Sequence, residues 1–117
     1  MDHANPQYYE RRTQVLLRRL AEVGPFVAAS LVLTRRRCGK PGCRCASGEG
    51  HPAWRLTWKE RGQKTGSVYV PVDLVEEVRG WVENHRRLKR LASAISEAQL
   101  ARVRLYARDK RRRRSSA

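Results

Sequence analysis

Three cysteines lie within eight residues of this chain, at positions 38, 43 and 45, and the chain has no others. His51 follows six positions after the last of them. Zinc takes thiolate and imidazole ligands in four-coordinate structural sites. An odd number of closely spaced cysteines suits a metal site in a reducing compartment better than a disulfide framework. The sequence therefore predicts a cytoplasmic protein in which one zinc ion is held by Cys38, Cys43, Cys45 and His51.

The residues between the cysteines favour metal binding over free thiols. Gly39, Pro41 and Gly42 allow a tight backbone turn, in which amides can point at sulfur. Lys40 and Arg44 place positive charge beside the thiols, which favours the metal-binding thiolate. Buried free thiols, a redox role and an iron–sulfur cluster stay open as alternatives. The chain has no C-x-x-C dithiol, and the spacing is not the paired one of zinc fingers and ribbons.

The sequence around the cysteines does not match a catalytic zinc site. Such a site needs an open fourth position and a general base. If water replaced His51, Glu49 would be the nearest carboxylate in the sequence. The zinc deaminase signature combines H-x-E with P-C-x-x-C, and this chain contains neither. We therefore predict that the protein is not an enzyme.

The chain carries a large excess of positive charge. Its 26 lysines and arginines against 11 aspartates and glutamates give a formal charge of +15. Such a basic chain is expected to bind polyanions, of which nucleic acid is the commonest. The alternative is a protein from an arginine-rich proteome with weak, non-specific affinity. No apolar run approaches the roughly 20 residues that span a bilayer, so we predict no membrane segment.

The basic residues form clusters along the chain. Clusters of this kind bind phosphates without reading base sequence, since each contact releases a counterion. No helix-turn-helix or other base-reading motif is apparent, so we predict weak sequence specificity. The predicted phosphate-binding residues are Arg35, Arg36, Arg37, Lys40, Arg44, Arg86, Arg87, Lys89, Arg90, Arg111, Arg112, Arg113 and Arg114.

A further basic patch is interleaved with tryptophans. Its cations are Arg55, Lys59, Arg61 and Lys64. Trp54 or Trp58 could stack on a base there. Packing in the core is the favoured interpretation of both tryptophans, because large aromatic side chains dominate cores.

Residue periodicity predicts an α+β fold. Asn5-Pro6 is typical of a helix start and Gly24-Pro25 of a helix end. Residues 27–34 alternate in the manner of a strand, and the segments 54–59 and 67–70 predict two more strands. We therefore expect an N-terminal helix, a three-stranded antiparallel sheet and a long C-terminal helix. The zinc-binding loop would join the first two strands.

The long helix is predicted to begin at an N-cap on Asp73 and to end near Asp109. A disordered tail is expected over 111–117. We predict one zinc-stabilised domain over 1–95 and a basic helical extension with its tail over 96–117. A coiled-coil-like apolar seam follows a spacing of four and three residues along the helix. Its members are Leu74, Val78, Trp81, His85, Leu88, Ala92 and Ile95.

Part of the chain resembles a family of small bacterial proteins of unknown function. The shared features are the run Cys38-Gly39-Lys40-Pro41-Gly42-Cys43-Arg44-Cys45, the pair His51-Pro52 and a hairpin that ends at Tyr69-Val70-Pro71. The resemblance covers roughly residues 27–91, although the family typically has a glycine between the histidine and the proline. Members are often encoded near transposases. The resemblance implies a DNA-linked context and brings no activity with it.

These features together predict a non-enzymatic, zinc-stabilised nucleic-acid-binding accessory protein, associated with a mobile element. The alternative is a protein-interaction module. In that case the long helix pairs with itself in a homodimer, or with a partner protein such as a transposase. Both functions can hold at once, because a dimer doubles the basic surface.

Overall fold

The computed structural model describes residues 5–36, 42, 48 and 50–116. An N-terminal helix is followed by a three-stranded antiparallel sheet and a long C-terminal helix, so the predicted α+β class is confirmed. The elements are α1 (Pro6–Ala21), β1 (Ser30–Arg36), β2 (His51–Lys59), β3 (Thr65–Val70) and α2 (Val75–Ser116). Most of the loop that was predicted to bind zinc lies outside the described residues.

The chain divides into two compact units. The sheet unit comprises residues 25–85 and holds the three strands with the beginning of α2. The helical unit comprises residues 1–24 and 86–117, and it holds α1 with the rest of α2. The sequence predicted one folded domain over 1–95 and a basic extension over 96–117. These units do not test that point, and it stays a prediction.

In the sheet unit, one face of the sheet packs on α2. The strand order is β1-β2-β3, and apolar residues of neighbouring strands lie opposite one another on this face. Each aliphatic side chain buried here contributes about 1.5–3 kcal/mol. Trp54 and Trp58 pack against the same cluster, as the core interpretation predicted. The buried cluster consists of Leu56, Val70, Val75, Val78 and Val82.

The first strand begins later than predicted. Residues 27–29 were expected to belong to it, but β1 starts at Ser30. The backbone amide of Val27 instead donates to the carbonyl oxygen of Trp81 at 3.2 Å. The side-chain amide of Asn84 donates to the carbonyl oxygen of Pro25 at 2.7 Å. These two bonds tie the segment to α2, which accounts for its absence from the sheet.

The start of α2 also differs from the prediction. The residues Val72–Leu74 form a 3-10 turn, and the α-helix begins after it at Val75. Asp73 therefore lies inside this turn and not at the N-cap. Pro71 precedes the turn, and its fixed φ suits an extended residue at that position.

In the helical unit, α1 packs antiparallel to the later part of α2. Arg102 Nη2 lies 2.8 Å from Glu10 Oε1, and Thr13 Oγ1 lies 3.1 Å from Gln99 Oε1. Residues later in α1 thus contact residues earlier in α2, as in an antiparallel helix pair. The sequence pattern of α1 predicts that Leu17 shares one helical face with Thr13 and Leu16, but Leu17 is 42% exposed. The buried residues of this unit are Thr13, Leu16, Val23, Ala98 and Leu105.

Both ends of the helical unit follow from local sequence. Asn5 caps α1 as predicted, since its side-chain oxygen accepts from the amide of Gln7 at 2.9 Å. At the other end, α2 continues past the expected end near Asp109 and includes residues 110–116. These were expected to form a disordered tail. The segment contains no glycine or proline, and arginine and lysine are strong helix formers.

Two glycines provide a matched test of this packing. A Cβ at Gly66 would overlap the indole of Trp58, its cross-strand partner, whereas a Cβ at Gly80 in α2 meets nothing within 4 Å. We expect Gly66→Ala to lower the free energy of unfolding by about 1–3 kcal/mol through overpacking. Gly80→Ala should raise it by about 1 kcal/mol through helix propensity. Chemical denaturation measures both, and a neutral Gly66→Ala would contradict the indole placement.

Candidate nucleic-acid interface and metal-binding loop

Positive charge is concentrated in the helical unit. Residues 1–24 and 86–117 contain 16 basic and 5 acidic side chains, which gives +11 of the chain's +15. The sheet unit carries the remaining +4, from 10 basic and 6 acidic side chains. One of the few carboxylates of the helical unit, Glu10, is already paired with Arg102. The helical unit therefore carries most of the chain's excess positive charge.

Three arginines from both helices of this unit surround one cavity. Arg19 of α1 joins Arg87 and Arg90 of α2 around a space of about 330 Å³, whose floor includes Leu91 and Ala94. Within the described part of the chain, neither Arg19 nor Arg87 is paired with a carboxylate. Guanidinium groups bind phosphate oxygens in bidentate fashion. The cavity thus has the composition of a phosphate-binding site.

Arg19 was missed by the sequence analysis, which assigned phosphate contacts only to Arg87 and Arg90 among these three. The helical period of the sequence places the arginines of α1 mostly on its polar face; they are Arg11, Arg12, Arg18 and Arg19. Their relation to α2 depends on the antiparallel packing of two segments that are far apart in the sequence. Periodicity within one helix cannot supply that relation.

A second group of arginines lies near the end of α2. Arg108, Arg111, Arg112 and Ser115 line a shallow depression on the helix surface. Ser115 donates from its hydroxyl to the carbonyl oxygen of Arg111 at 3.1 Å. Because the helix continues through these residues, their spacing along the chain places the arginines on adjoining parts of its surface. Arg111 and Arg112 were predicted phosphate ligands, and Arg108 is added to them.

The remaining predicted phosphate ligands are distributed over both units. Arg86 and Lys89 are exposed on α2, as are Arg113 and Arg114. Arg35 is exposed near the end of β1 in the sheet unit, and Arg36 is the last residue of that strand. Arg37, Lys40 and Arg44 lie outside the described residues.

The sheet register bears on the predicted metal-binding loop. His51 begins β2 and is the cross-strand partner of Arg36, the last residue of β1. The loop that carries the cysteines therefore starts and ends at one paired position, and His51 stands at its closing end. Gly42 and Gly50 have φ of 77° and 89°, a backbone region that favours glycine. A loop closed in this way fits a set of ligands drawn from one short segment.

The predicted ligands Cys38, Cys43 and Cys45 themselves lie outside the described residues. Among residues 5–36, 42, 48 and 50–116, no group of three or more histidine, cysteine, aspartate or glutamate side chains is placed to hold a metal ion. The four-ligand zinc site therefore stays a prediction, supported by the donor types and by the position of His51.

Comparison with known families places the chain in one of them. The family model described as Domain of unknown function (DUF6788) matches residues 7–80. The match covers more than half of the chain, so this protein belongs to that family. Searches among curated proteins and among solved structures gave no match.

The matched segment contains α1 from its second residue onward, the whole sheet, the cysteine loop and the beginning of α2. It starts earlier than the resemblance over residues 27–91 and also ends earlier. The strongly basic part of α2 after Arg86 lies beyond it. Among the described residues, no helix combines the length and the apolar character that crossing a membrane requires.

Metal content is the direct test of the loop. Protein purified without chelator is expected to contain one zinc ion per chain by elemental analysis. Cys43→Ser should abolish binding, and His51→Ala should weaken it, because each removes a ligand of a four-coordinate site. His85→Ala, which removes a histidine of α2, serves as the matched control and should leave zinc content unchanged. Metal-free wild-type protein would contradict the site, and full retention in His51→Ala would contradict the fourth ligand.

Proposed function

We propose that this chain is a non-enzymatic, zinc-stabilised nucleic-acid-binding accessory protein of the cytoplasm. The observation that carries the proposal is the arginine-rich surface of the helical unit. Its net charge is +11, and two groups of arginines converge there on concave surfaces. Phosphate contacts of this kind supply most of the affinity for nucleic acid without base recognition.

The dimensions of the basic helix suit a nucleic-acid backbone. Residues 86–114 contain 12 basic and 2 acidic side chains. At 1.5 Å per residue this segment is about 42 Å long. That length corresponds to roughly 12 base pairs at 3.4 Å each. Phosphates along such a stretch can pair with successive arginines, which supports binding along the backbone.

The preferred nucleic acid is DNA, and its sequence is read weakly. Arginines on an exposed helix bind phosphates equally well in any sequence. The preference for DNA over RNA comes from the resemblance to bacterial proteins that are encoded near transposases. A role beside a mobile element is part of this proposal, and a transposase is a suitable protein partner.

The zinc ion has a structural role in this proposal. Bound by Cys38, Cys43, Cys45 and His51, it would stabilise a loop too short and polar to form its own core. Lys40, Arg44 and Arg35–Arg37 flank these ligands in the sequence and would add phosphate contacts. These four protein ligands would fill all four coordination positions of the zinc ion. No position remains for a catalytic water, so the proposal includes no catalysis.

Salt-dependent binding tests the proposed function. Fluorescence anisotropy with a labelled duplex of mixed sequence should show affinity that falls steeply between about 50 and 200 mM salt. The double variant Arg19→Ala with Arg87→Ala is expected to lower affinity and to reduce the log–log salt slope by about 1.8, or 0.9 per lost phosphate contact.

The matched control is Arg18→Ala with Arg104→Ala. It removes the same charge from the same two helices, but neither residue lines the arginine cavity. We expect a smaller loss of affinity from this pair. Absence of binding at about 50 mM salt would contradict the proposed function. Equal losses from the two pairs would contradict the assignment of the cavity.

A second candidate function is self-association through α2, but not through the predicted seam. Leu74, Val78 and Trp81 of that seam pack in the core of the sheet unit, and Ala92 is exposed. Other apolar residues of α2 are exposed to solvent instead, and they favour this alternative. They are Leu100, Val103 and Tyr106.

Light scattering tests this second candidate. If these residues form a dimer contact, the 13.5 kDa chain has twice that mass in solution, and Val103→Glu restores the monomer. Val15→Glu, at an exposed valine of α1, is the control and should leave the dimer intact. A wild-type monomer with full helical circular dichroism would contradict self-association.

A further inference from the structure

The face of the sheet that points away from the core is open and carries no acidic residue. Side chains alternate along each strand, so the residues between those of the core row share this second face. Val32, Arg55 and Tyr69 form its central row, one from each strand. Lys59 adds positive charge, and most of the other described residues on this face are serine or threonine. A polyanion is therefore the complementary ligand.

An exposed aromatic residue occupies this face. Tyr69 is 50% exposed, and Val32, the other large apolar residue of the face, is 40% exposed. In the described part of the chain, the side chain of Tyr69 makes no hydrogen bond and no ring contact with another residue. The tryptophans that the sequence offered for stacking are packed in the core. Tyr69 is thus the aromatic side chain that the sheet presents to solvent.

An arginine is held beside this tyrosine. Arg55 lies directly opposite Tyr69 on the neighbouring strand, where Cβ atoms of such pairs are about 4.5–5.5 Å apart. Its guanidinium donates from Nε to Ser67 Oγ at 2.9 Å. This bond restrains a long side chain that would otherwise lose conformational entropy on binding. The cation is therefore positioned next to the ring before any ligand arrives.

We propose that this open sheet face binds single-stranded nucleic acid, with a base stacked on Tyr69 and a neighbouring phosphate on Arg55. Aromatic residues on open sheets bind unpaired bases in this way, and every base offers a face for stacking. A duplex keeps its base faces inside the helix. The inference rests on the proposed function for its ligand class, and it adds a second surface that selects single strands.

A protein ligand fits this face less well. Apart from Val32 and Tyr69 the face is built from small polar and basic side chains, whereas the centres of protein interfaces are depleted in charged residues and enriched in apolar ones. Arg55 is half-buried and already restrained by Ser67, which suits a charged ligand. Charge and polarity therefore both favour the nucleic acid.

The test compares single-stranded and duplex probes on the full-length chain. Labelled 15-mers of deoxyuridine and of uridine, and a mixed-sequence duplex, are titrated at about 50 mM salt. Tyr69→Ala should weaken single-strand binding by roughly 5- to 150-fold, the loss expected from one stacked base. Tyr69→Phe keeps the ring and should bind like the wild type. The tighter of the two single-stranded probes identifies the preferred sugar.

Controls separate stacking from folding and from the helical surface. Tyr106→Ala removes an exposed tyrosine of the helical unit and should leave the ratio of single-strand to duplex affinity unchanged. Tyr69→Thr, which retains strand propensity without a ring, replaces Tyr69→Ala if circular dichroism shows that the alanine variant is unfolded.

The outcomes distinguish this inference from the proposed function. Binding of the duplex with no binding of either single strand would overturn the inference and leave the proposed function standing. Equal losses for single strand and duplex in Tyr69→Ala would also overturn it. Failure to bind any of the three probes would overturn both.

Discussion

Burial of one sheet face against α2 is the contact on which the sheet unit depends. Three short strands are marginally stable in water unless one face is covered. Leu56 and Val70 from the sheet meet Val75, Val78 and Val82 from the helix, and the partly buried tryptophans of β2 pack against this cluster. The register that this packing requires also pairs Arg36 with His51. The ends of the cysteine loop are therefore fixed by the same core.

The elements of this fold were predictable where the pattern of residues is local. Alternation around Leu56 indicated β2, and the caps at Asn5-Pro6 indicated α1, because both signals lie within a few residues. Residues 27–29 were assigned to a strand for the same reason. Their backbone bond to Trp81 arises from tertiary contact, which alternation does not report. The sequence prediction ended α2 near Asp109, although no glycine or proline follows, and the helix in fact includes residues 110–116.

The candidate sites also differ in whether local sequence signals are enough to recognise them. The cysteine motif could be recognised from ligand type and spacing, since its predicted members lie within one segment. The arginine cavity could be recognised only in part, because Arg19 reaches Arg87 and Arg90 through the packing of separate helices. Tyr69 stood in the motif of the resemblance without a role. Its exposure beside Arg55 became visible only when the register assigned each residue to a face.

The charge of the helical unit has a consequence for the free protein. The helical unit contains 16 cationic and five anionic side chains, and the repulsion among the excess cations opposes its compact state. Dissolved salt screens the repulsion and so favours folding, while it weakens attachment to a polyanion. Raising the ionic strength thus stabilises the folded helical unit and lowers its affinity for a polyanion. A bound polyanion would neutralise part of this positive charge and so reduce the repulsion that is present in the unbound protein.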